Sequence, residues 1–395
     1  MRATASRGVL APGRLRSPVQ RCESFVCTAG ARTPRLAFGA ADRSSPVQVV
    51  DRRTPIAREK SLSLRLPVTA PSAITIGNFD GVHVGHAALI ARARRHAGER
   101  GRVLALAFDP HPLTRIAPAA APARLTSFEH RAALLRELGA DEVVRLQPSD
   151  EFLSTSPREF IERVVATYRP VAIVEGADFH FGKGRAGSIA TLRELGAALG
   201  FAVDIVDAVG VAISDHTIVR ASSTMIRWLI AHGRVTDASN LLGRNYELLG
   251  TVERGDQRGR TIGFPTANLH QPGDPTTALL LPADGVYACI ARLPDGRRLP
   301  AAVNIGSRPT FQGLDRRVEA HVIDGRTGAP AAGLAEYGWP LALEFVAFVR
   351  DQVRFPGIEA LRQQLERDRR ACLALASDLL DSSAATPAAT GDCAR

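Results

Sequence analysis

The chain has 395 residues, 45% of them hydrophobic and 23% charged, with a formal net charge of +10 and a pI near 10.2. That length predicts two or three domains, and the composition is that of an ordinary globular protein with apolar material for two cores. No apolar run approaches the roughly 20 residues of a membrane-spanning helix, so a soluble chain is expected. The basic balance does not single out nucleic acid, because residues 1–60 hold twelve Lys/Arg against four Asp/Glu and the excess is concentrated there.

Residues 1–71 are rich in Arg, Ser, Pro and Ala and lack a sustained apolar period. A disordered tail, an upstream start codon that extends the true protein, and an organelle transit peptide are the open readings; the first two are preferred because composition defines transit peptides loosely. The first folded residue is expected near Ser72. From there Ala73–Phe79 reads as a strand, His86–Arg100 as a helix, Val103–Phe108 as a strand, Ser127–Leu138 as a helix and Glu142–Leu146 as a strand. Helix Pro157–Tyr168, strand Val171–Val174, helix Ile189–Leu199 and strand Ala202–Val206 follow. Strands alternating with helices imply a doubly wound parallel α/β sheet, with ligands beyond the carboxyl ends of its strands. After about Leu242 the rhythm changes to short strands, Leu248–Glu253, Gly285–Arg292, Arg298–Ile305, Arg317–Val322 and Leu341–Val349, between Gly- and Pro-bearing turns. This spacing predicts a small antiparallel barrel or sandwich. An amphipathic helix over Ile358–Leu380 closes the chain before an Ala/Thr/Ser-rich tail, residues 382–395. The expected domains are 72–235 and 236–381. The five cysteines, Cys22, Cys27, Cys289, Cys372 and Cys393, lack zinc-knuckle spacing and read as reduced thiols in a cytoplasmic protein.

Four segments of the first half carry chemistry-bearing residues at strand ends or helix starts. Gly77-Asn78-Phe79-Asp80-Gly81-Val82-His83-Val84-Gly85-His86 joins a strand to a helix. Its glycines allow close backbone approach, the helix start offers amide donors for phosphate, and His83 and His86 can share one side of the first turn. A Gly-rich turn with two incidental histidines, or a zinc site short of a clear third ligand, are the alternatives. Phe108-Asp109-Pro110-His111-Pro112 follows the second strand, and the loop Gly176–Gly187 contains Asp178 and a Gly/Lys/Arg run. Ser222-Ser223-Thr224-Met225-Ile226-Arg227 opens a helix. Capping consumes one serine hydroxyl and leaves the other, with Arg227, for phosphate.

In the order GNFDGVHVGH, FDPHP, GADFHFGKGRAG, SSTMIR, these segments resemble the adenylyltransferase half of prokaryotic bifunctional riboflavin kinase/FAD synthetases, a branch of the nucleotidylyltransferases. The resemblance implies that His83 and His86 contact ATP phosphates, that Ser223, Thr224 and Arg227 close over them, and that His111 and Asp178 line the FMN/ATP site. By the same resemblance, Gly77, Phe79, Asp80 and Gly85 belong to the ATP-binding turn.

The second half opens on a Gly- and Arg-rich loop, Gly250–Gly263, that runs into Phe264-Pro265-Thr266-Ala267-Asn268. On an extended strand Thr266 and Asn268 point to one side, and their oxygens suit Mg2+; an ordinary hairpin with polar outer residues is the alternative. With Gly285-Val286-Tyr287-Ala288, Asn304–Phe311 and Val318-Glu319-Ala320-His321, this half is similar to the riboflavin kinase domain, a small β-barrel with a PTAN signature. By that resemblance Glu319 is the base that activates the riboflavin hydroxyl, Gly259, Gly263, Thr266 and Asn268 bind ATP, and Mg2+ is the metal. Two stretches depart from the pattern: residues 322–336, where Asp324-Gly325-Arg326 replaces an expected aromatic, and the lead-in His216–Ala221. The expectation is a bifunctional enzyme acting on riboflavin, FMN and ATP, with no nucleic acid or membrane partner and the oligomeric state open. A catalytically silent flavin- or nucleotide-binding regulator and a nucleic-acid-binding protein are the competing readings.

Overall fold

The structure is a computed structural model that describes residues 71–255, 257–271, 277–310 and 313–384. The expected extension, apart from Pro71, and the tail beyond Ala384 lie outside the described residues, as do Cys22, Cys27 and Cys393.

Strands β1 (Ser72–Gly77), β2 (Arg102–Phe108), β3 (Glu142–Leu146), β4 (Pro170–Gly176) and β5 (Ala202–Val206) form one parallel sheet in the order β3-β2-β1-β4-β5. Strand order reverses between β1 and β4. Successive residues of a strand face opposite sides, and both sides are covered. Ala73, Val103, Ala105 and Ala172 pack against α1 (Val84–Ala97) and α2 (Phe128–Glu137). Ile74, Leu104, Leu106 and Ile173 pack against α3 (Pro157–Tyr168) and α4 (Ile189–Leu199). Burial on both faces explains why these strands read as continuous apolar runs. A short hairpin, β6 (Gly210–Ala212) and β7 (Ile218–Arg220), leads to α5 (Ser223–Ala231) and α6 (Val235–Leu242).

The second framework is a closed barrel. Strands β8 (Tyr246–Glu253), β9 (Ala267–His270), β10 (Gly285–Arg292), β11 (Arg298–Thr310), β12 (Gly313–Val322) and β13 (Pro340–Arg350) run antiparallel in the order β10-β11-β12-β9-β8-β13. Closure removes the exposed strand edges. The last helix, α7 (Ile358–Ala384), extends four residues past the expected end and covers one outer face, with Cys372 against Ala288 and Ile323. The apolar faces of α5 and α6 join the barrel interior in one core, which also takes in Leu125, Ile213 and Ala221. Cys289 and Cys372 are buried and free.

Candidate active sites

The turn after β1 builds the first site. His83 caps α1: its Nδ1 accepts from the Gly85 amide at 3.1 Å, while the Nδ1 of His86 accepts from the His83 amide at 3.2 Å. Each imidazole spends Nδ1 as an acceptor, which leaves the ring proton on Nε2. The rings stack with centroids 3.7 Å apart and 19° between planes, and Phe79 meets His86 edge-on. A Cβ at Gly85 would lie 2.9 Å from the His83 ring, so this position requires glycine. Burial, reinforced by Arg244, Arg220 and Arg227, lowers His83 to about 4. Burial likewise holds His86 well below the ordinary histidine range, with His83 adding to it. At neutral pH both are uncharged N–H donors.

Both histidines line a cavity of about 690 Å³, together with Gly77, Phe79, Gly85, His111, Asp178 and Ser223. It lies at the carboxyl ends of the strands, where such sheets bind ligands. Burial, then Arg227, lowers His111 to about 4, and its Nδ1 accepts from the Leu113 amide at 3.1 Å. Asp178 pairs with Arg220 of β7 at 2.8 Å. Thr224 is exposed in the first turn of α5 and does not contribute to the cavity lining.

Asp80 and Arg227 stand behind this cavity. The buried Asp80 carboxylate accepts from the Leu125 and Thr126 amides and the Thr126 hydroxyl, and pairs with Arg227 at 2.6 Å. Arg227 also donates to the Ala123 carbonyl at 2.7 Å. Ser222 caps α5 by accepting from the Met225 amide, and the Ser223 hydroxyl donates to the Asp80 carbonyl at 2.6 Å. The second serine hydroxyl and Arg227 thus both have partners at residue 80.

Three supporting residues have no motif of their own. Arg131, 3% exposed, donates to the carbonyls of Asn78 and Phe108 at 2.8 and 2.9 Å and so ties together the turns after β1 and β2. Arg244, between α6 and β8, donates to the carbonyls of Gly81 and Val82 at 2.7 and 2.8 Å. Glu175, on β4, lines the cavity. Arg131 alone left a sequence signal, a cation among the apolar positions of its helix.

The second site lies on the barrel. Val318 and Ala320 face the interior, so Glu319 between them faces outward. Cross-strand pairing sets Asn268 directly opposite Glu319, and on the other side Glu319 opposes Asn304. The Asn268 amide oxygen is buried with no hydrogen-bond partner. The loop passes close above it: a Cβ at Gly255 would fall 2.2 Å from the Asn268 side chain. Gly259 sits in a single helical turn, Arg258–Thr261, and Gly263 follows it. Gln257 donates to the Tyr337 hydroxyl at 2.6 Å, and Arg260 pairs with Glu336 at 3.3 Å. His321 lies 2.8 Å from the Pro265 carbonyl, fixing the exposed Thr266 beside β12. The divergent stretch after His321 folds into a turn in which Asp324 accepts from the Arg326 and Thr327 amides. An orphaned amide oxygen, a threonine hydroxyl and a neighbouring carboxylate make a hard-oxygen donor set. Among the described residues no group of three or more His, Cys, Asp or Glu is arranged for a metal, so phosphate and water oxygens would complete any such shell.

Comparison with known proteins agrees with this division. The FAD synthetase family model matches residues 67–222 and the riboflavin kinase family model residues 242–376. A bifunctional riboflavin kinase/FMN adenylyltransferase of Escherichia coli K12 is 34% identical over 297 residues, covering 75% of this chain and 90% of its own. One from Listeria monocytogenes is 33% identical over 333 residues, covering 82% of this chain and 100% of its own. A crystal structure from Streptococcus pneumoniae, described as a macrolide-efflux protein, superposes with a TM-score of 0.68 at 28% identity, covering 78% of this chain and 95% of that one. Among the described residues, no helix is long and apolar enough to cross a membrane.

Proposed function

The chain belongs to the bifunctional riboflavin kinase/FMN adenylyltransferase family, and from that premise we propose which of its residues carry each step. It is a transferase with two ATP-dependent activities: phosphorylation of riboflavin to FMN, then adenylyl transfer to FMN, giving FAD and pyrophosphate. The observation that carries the residue assignment is the presence of two separate phosphate-handling constellations, paired imidazoles at a cavity of the sheet and the Asn268–Glu319 pair on the barrel.

The sheet cavity takes FMN and ATP. The phosphate of FMN is already anionic and attacks the α-phosphate without a strong base, so positioning and charge stabilisation dominate. His83 and His86 supply neutral Nε2–H donors at the N-terminus of α1, aimed at charge that develops on the leaving pyrophosphate. Ser223 lines the cavity beside the same phosphates, and Thr224 and Arg227, which stand outside its lining, reach them on ATP binding, Arg227 by exchanging the Asp80 carboxylate for phosphate oxygen. His111 and Asp178 flank the substrates, while Gly77, Phe79, Asp80 and Gly85 shape the turn.

On the barrel the nucleophile is a neutral hydroxyl and needs help. Glu319 takes the proton of the riboflavin 5′-hydroxyl as that oxygen attacks the γ-phosphate. Gly259 and Gly263 let the loop backbone approach the triphosphate. Thr266 and Asn268 would hold Mg2+, which when bound offsets phosphate charge; the orphaned Asn268 oxygen supports this. A cytoplasmic setting, where ATP is at hand, suits the two free buried thiols.

Product chromatography with riboflavin or FMN as substrate tests the assignment. Glu319→Ala blocks FMN formation and spares conversion of FMN to FAD. His83→Ala combined with His86→Ala does the reverse, and FMN accumulates. A folded variant that loses both steps refutes the division.

A further inference from the structure

The β1–β4 pairing ends at Ile74 and Ile173, where the strand order reverses and the two strands part. Past that point a side chain replaces the backbone ladder: Glu175 Oε1 accepts from the Ile76 amide at 2.6 Å. Glu175 is 2% exposed and lines the cavity that contains His83 and His86. Among the described residues its other carboxyl oxygen has no protein partner, and it is not sealed in the core. A buried carboxyl group with one oxygen committed to the backbone and the other open to a ligand cavity is placed to meet a polar group of the ligand.

We propose that Glu175 is a substrate-recognition residue of the adenylyl-transfer site. Its second carboxyl oxygen donates a hydrogen bond to an uncharged acceptor of a bound substrate, either a purine nitrogen of ATP or a ring nitrogen or carbonyl of the FMN isoalloxazine. The proposal rests on the reading of this cavity as the adenylyl-transfer site. Burial, offset in part by the hydrogen bond from the Ile76 amide and reinforced by Asp178, raises the Glu175 carboxyl well above the usual range and so favours the protonated, donating form. The other ionisable groups facing this cavity are His83, the cap of α1, His86 in its first turn, His111 from the turn after β2, and Asp178, His180 and Arg185 from the loop after β4. Asp207, after β5, and Arg220 of β7 complete the set.

The test is steady-state conversion of FMN to FAD by the full chain, with KM for ATP and for FMN measured separately across pH. Glu175→Gln keeps both an acceptor for the Ile76 amide and a donor for the ligand; Glu175→Leu keeps neither. For Glu175→Leu, KM for one substrate rises about five- to tenfold at unchanged kcat, the scale of one hydrogen bond; whichever KM moves identifies ATP or FMN as the partner. In the unsubstituted chain that same KM climbs at alkaline pH as the donor proton is lost, whereas Glu175→Gln stays flat. A purely structural role leaves KM indifferent to pH, because an ionised Glu175 still accepts from Ile76. KM values unmoved by Glu175→Leu, or an identical alkaline rise in Glu175→Gln, overturn the proposal. If His83→Ala with His86→Ala also leaves adenylylation intact, the reading of the cavity itself is at fault. Riboflavin phosphorylation, measured in parallel, reports that each variant is folded.

Discussion

At the scale of single residues, burial keeps an imidazole and a carboxyl uncharged beside one cavity, and the two respond to pH in opposite senses. For His83 the folded value, about 4, lies below the ordinary 6.5, so between them the unfolded chain binds the extra proton and stability falls as pH drops. For Glu175 the folded value lies well above the ordinary 4.5. Here the folded chain holds a proton that the unfolded chain has released, so stability falls as pH rises above 4.5. Glu175→Gln removes the second effect. Denaturant melts should show the variant gaining stability over the parent as pH rises above about 4.5 and showing no such gain below it. A pH-independent difference would mean that Glu175 is ionised in the folded chain. The imidazoles have their own check: long-range nitrogen–proton spectra at pH 6 should show His83 and His86 as neutral Nε2–H tautomers. Protonated rings there would remove their role as neutral donors.

At the scale of elements, one carboxylate holds three chain segments together. Asp80, in the turn after β1, accepts from the amides just before α2 and pairs with Arg227 of α5, while the cation of Arg131 lies 4.0 Å away. Asp80→Ala leaves the Arg227 guanidinium without its counter-charge and two buried amides without their acceptor, while Arg131 keeps Asp109 at 3.6 Å. Stripping one partner from a buried pair costs about 3–5 kcal/mol, so urea melts should show a loss of about 3 kcal/mol, with Asp80→Asn distinctly milder. A loss under about 1 kcal/mol, the scale of an exposed pair, would show that the network is dispensable. Many elements of this frame are legible in the sequence. The span Pro157–Tyr168 starts where expected because Ser156 and Glu159 form a capping box, and Ile189–Leu199 starts behind the cap at Ser188. Strands Glu142–Leu146, Ala202–Val206 and Gly285–Arg292 match their apolar runs. Helix α6 does not announce itself: eight residues carrying Thr, Asp, Ser and Asn have little intrinsic helicity, and the core shared with the barrel stabilises it. Sequence motifs likewise bring together the residues around His83 and around Asn268. They leave Glu175, Arg131 and Arg244 unmarked, because those side chains act on backbone 99, 53 and 163 positions away.

At the scale of the whole molecule, the two frameworks are joined by packing and by polar contacts. The helices α5 and α6 bury their apolar faces in the barrel core, which also receives Leu125 from the segment ahead of α2. His130 of α2 meets Glu247 of β8 at 3.1 Å, and Glu247 also holds Arg292 of β10. Arg244, immediately before the barrel's first strand, reaches the carbonyls of Gly81 and Val82, directly ahead of His83. Burial lowers Arg244 to about 10, which leaves it charged at neutral pH. The barrel side of the chain thus fixes the turn that presents the imidazoles to ATP. Arg244→Ala removes both bonds from that turn and leaves the kinase residues Glu319, Thr266 and Asn268 untouched. A hydrogen bond from a charged group contributes about 1.5–3 kcal/mol. Losing part of that at the transition state should lower kcat/KM for FMN adenylylation roughly tenfold or more. Riboflavin phosphorylation should stay within about twofold of the parent, inside the scatter expected of a distant, independent site. Arg244→Lys should recover only part of the activity, because one ammonium cannot reproduce the planar two-pronged grip on adjacent carbonyls. Parallel loss of both activities with a lowered melting temperature would instead mark Arg244 as a general stabiliser, and full adenylylation in Arg244→Ala would show that the imidazole turn holds its shape without the barrel.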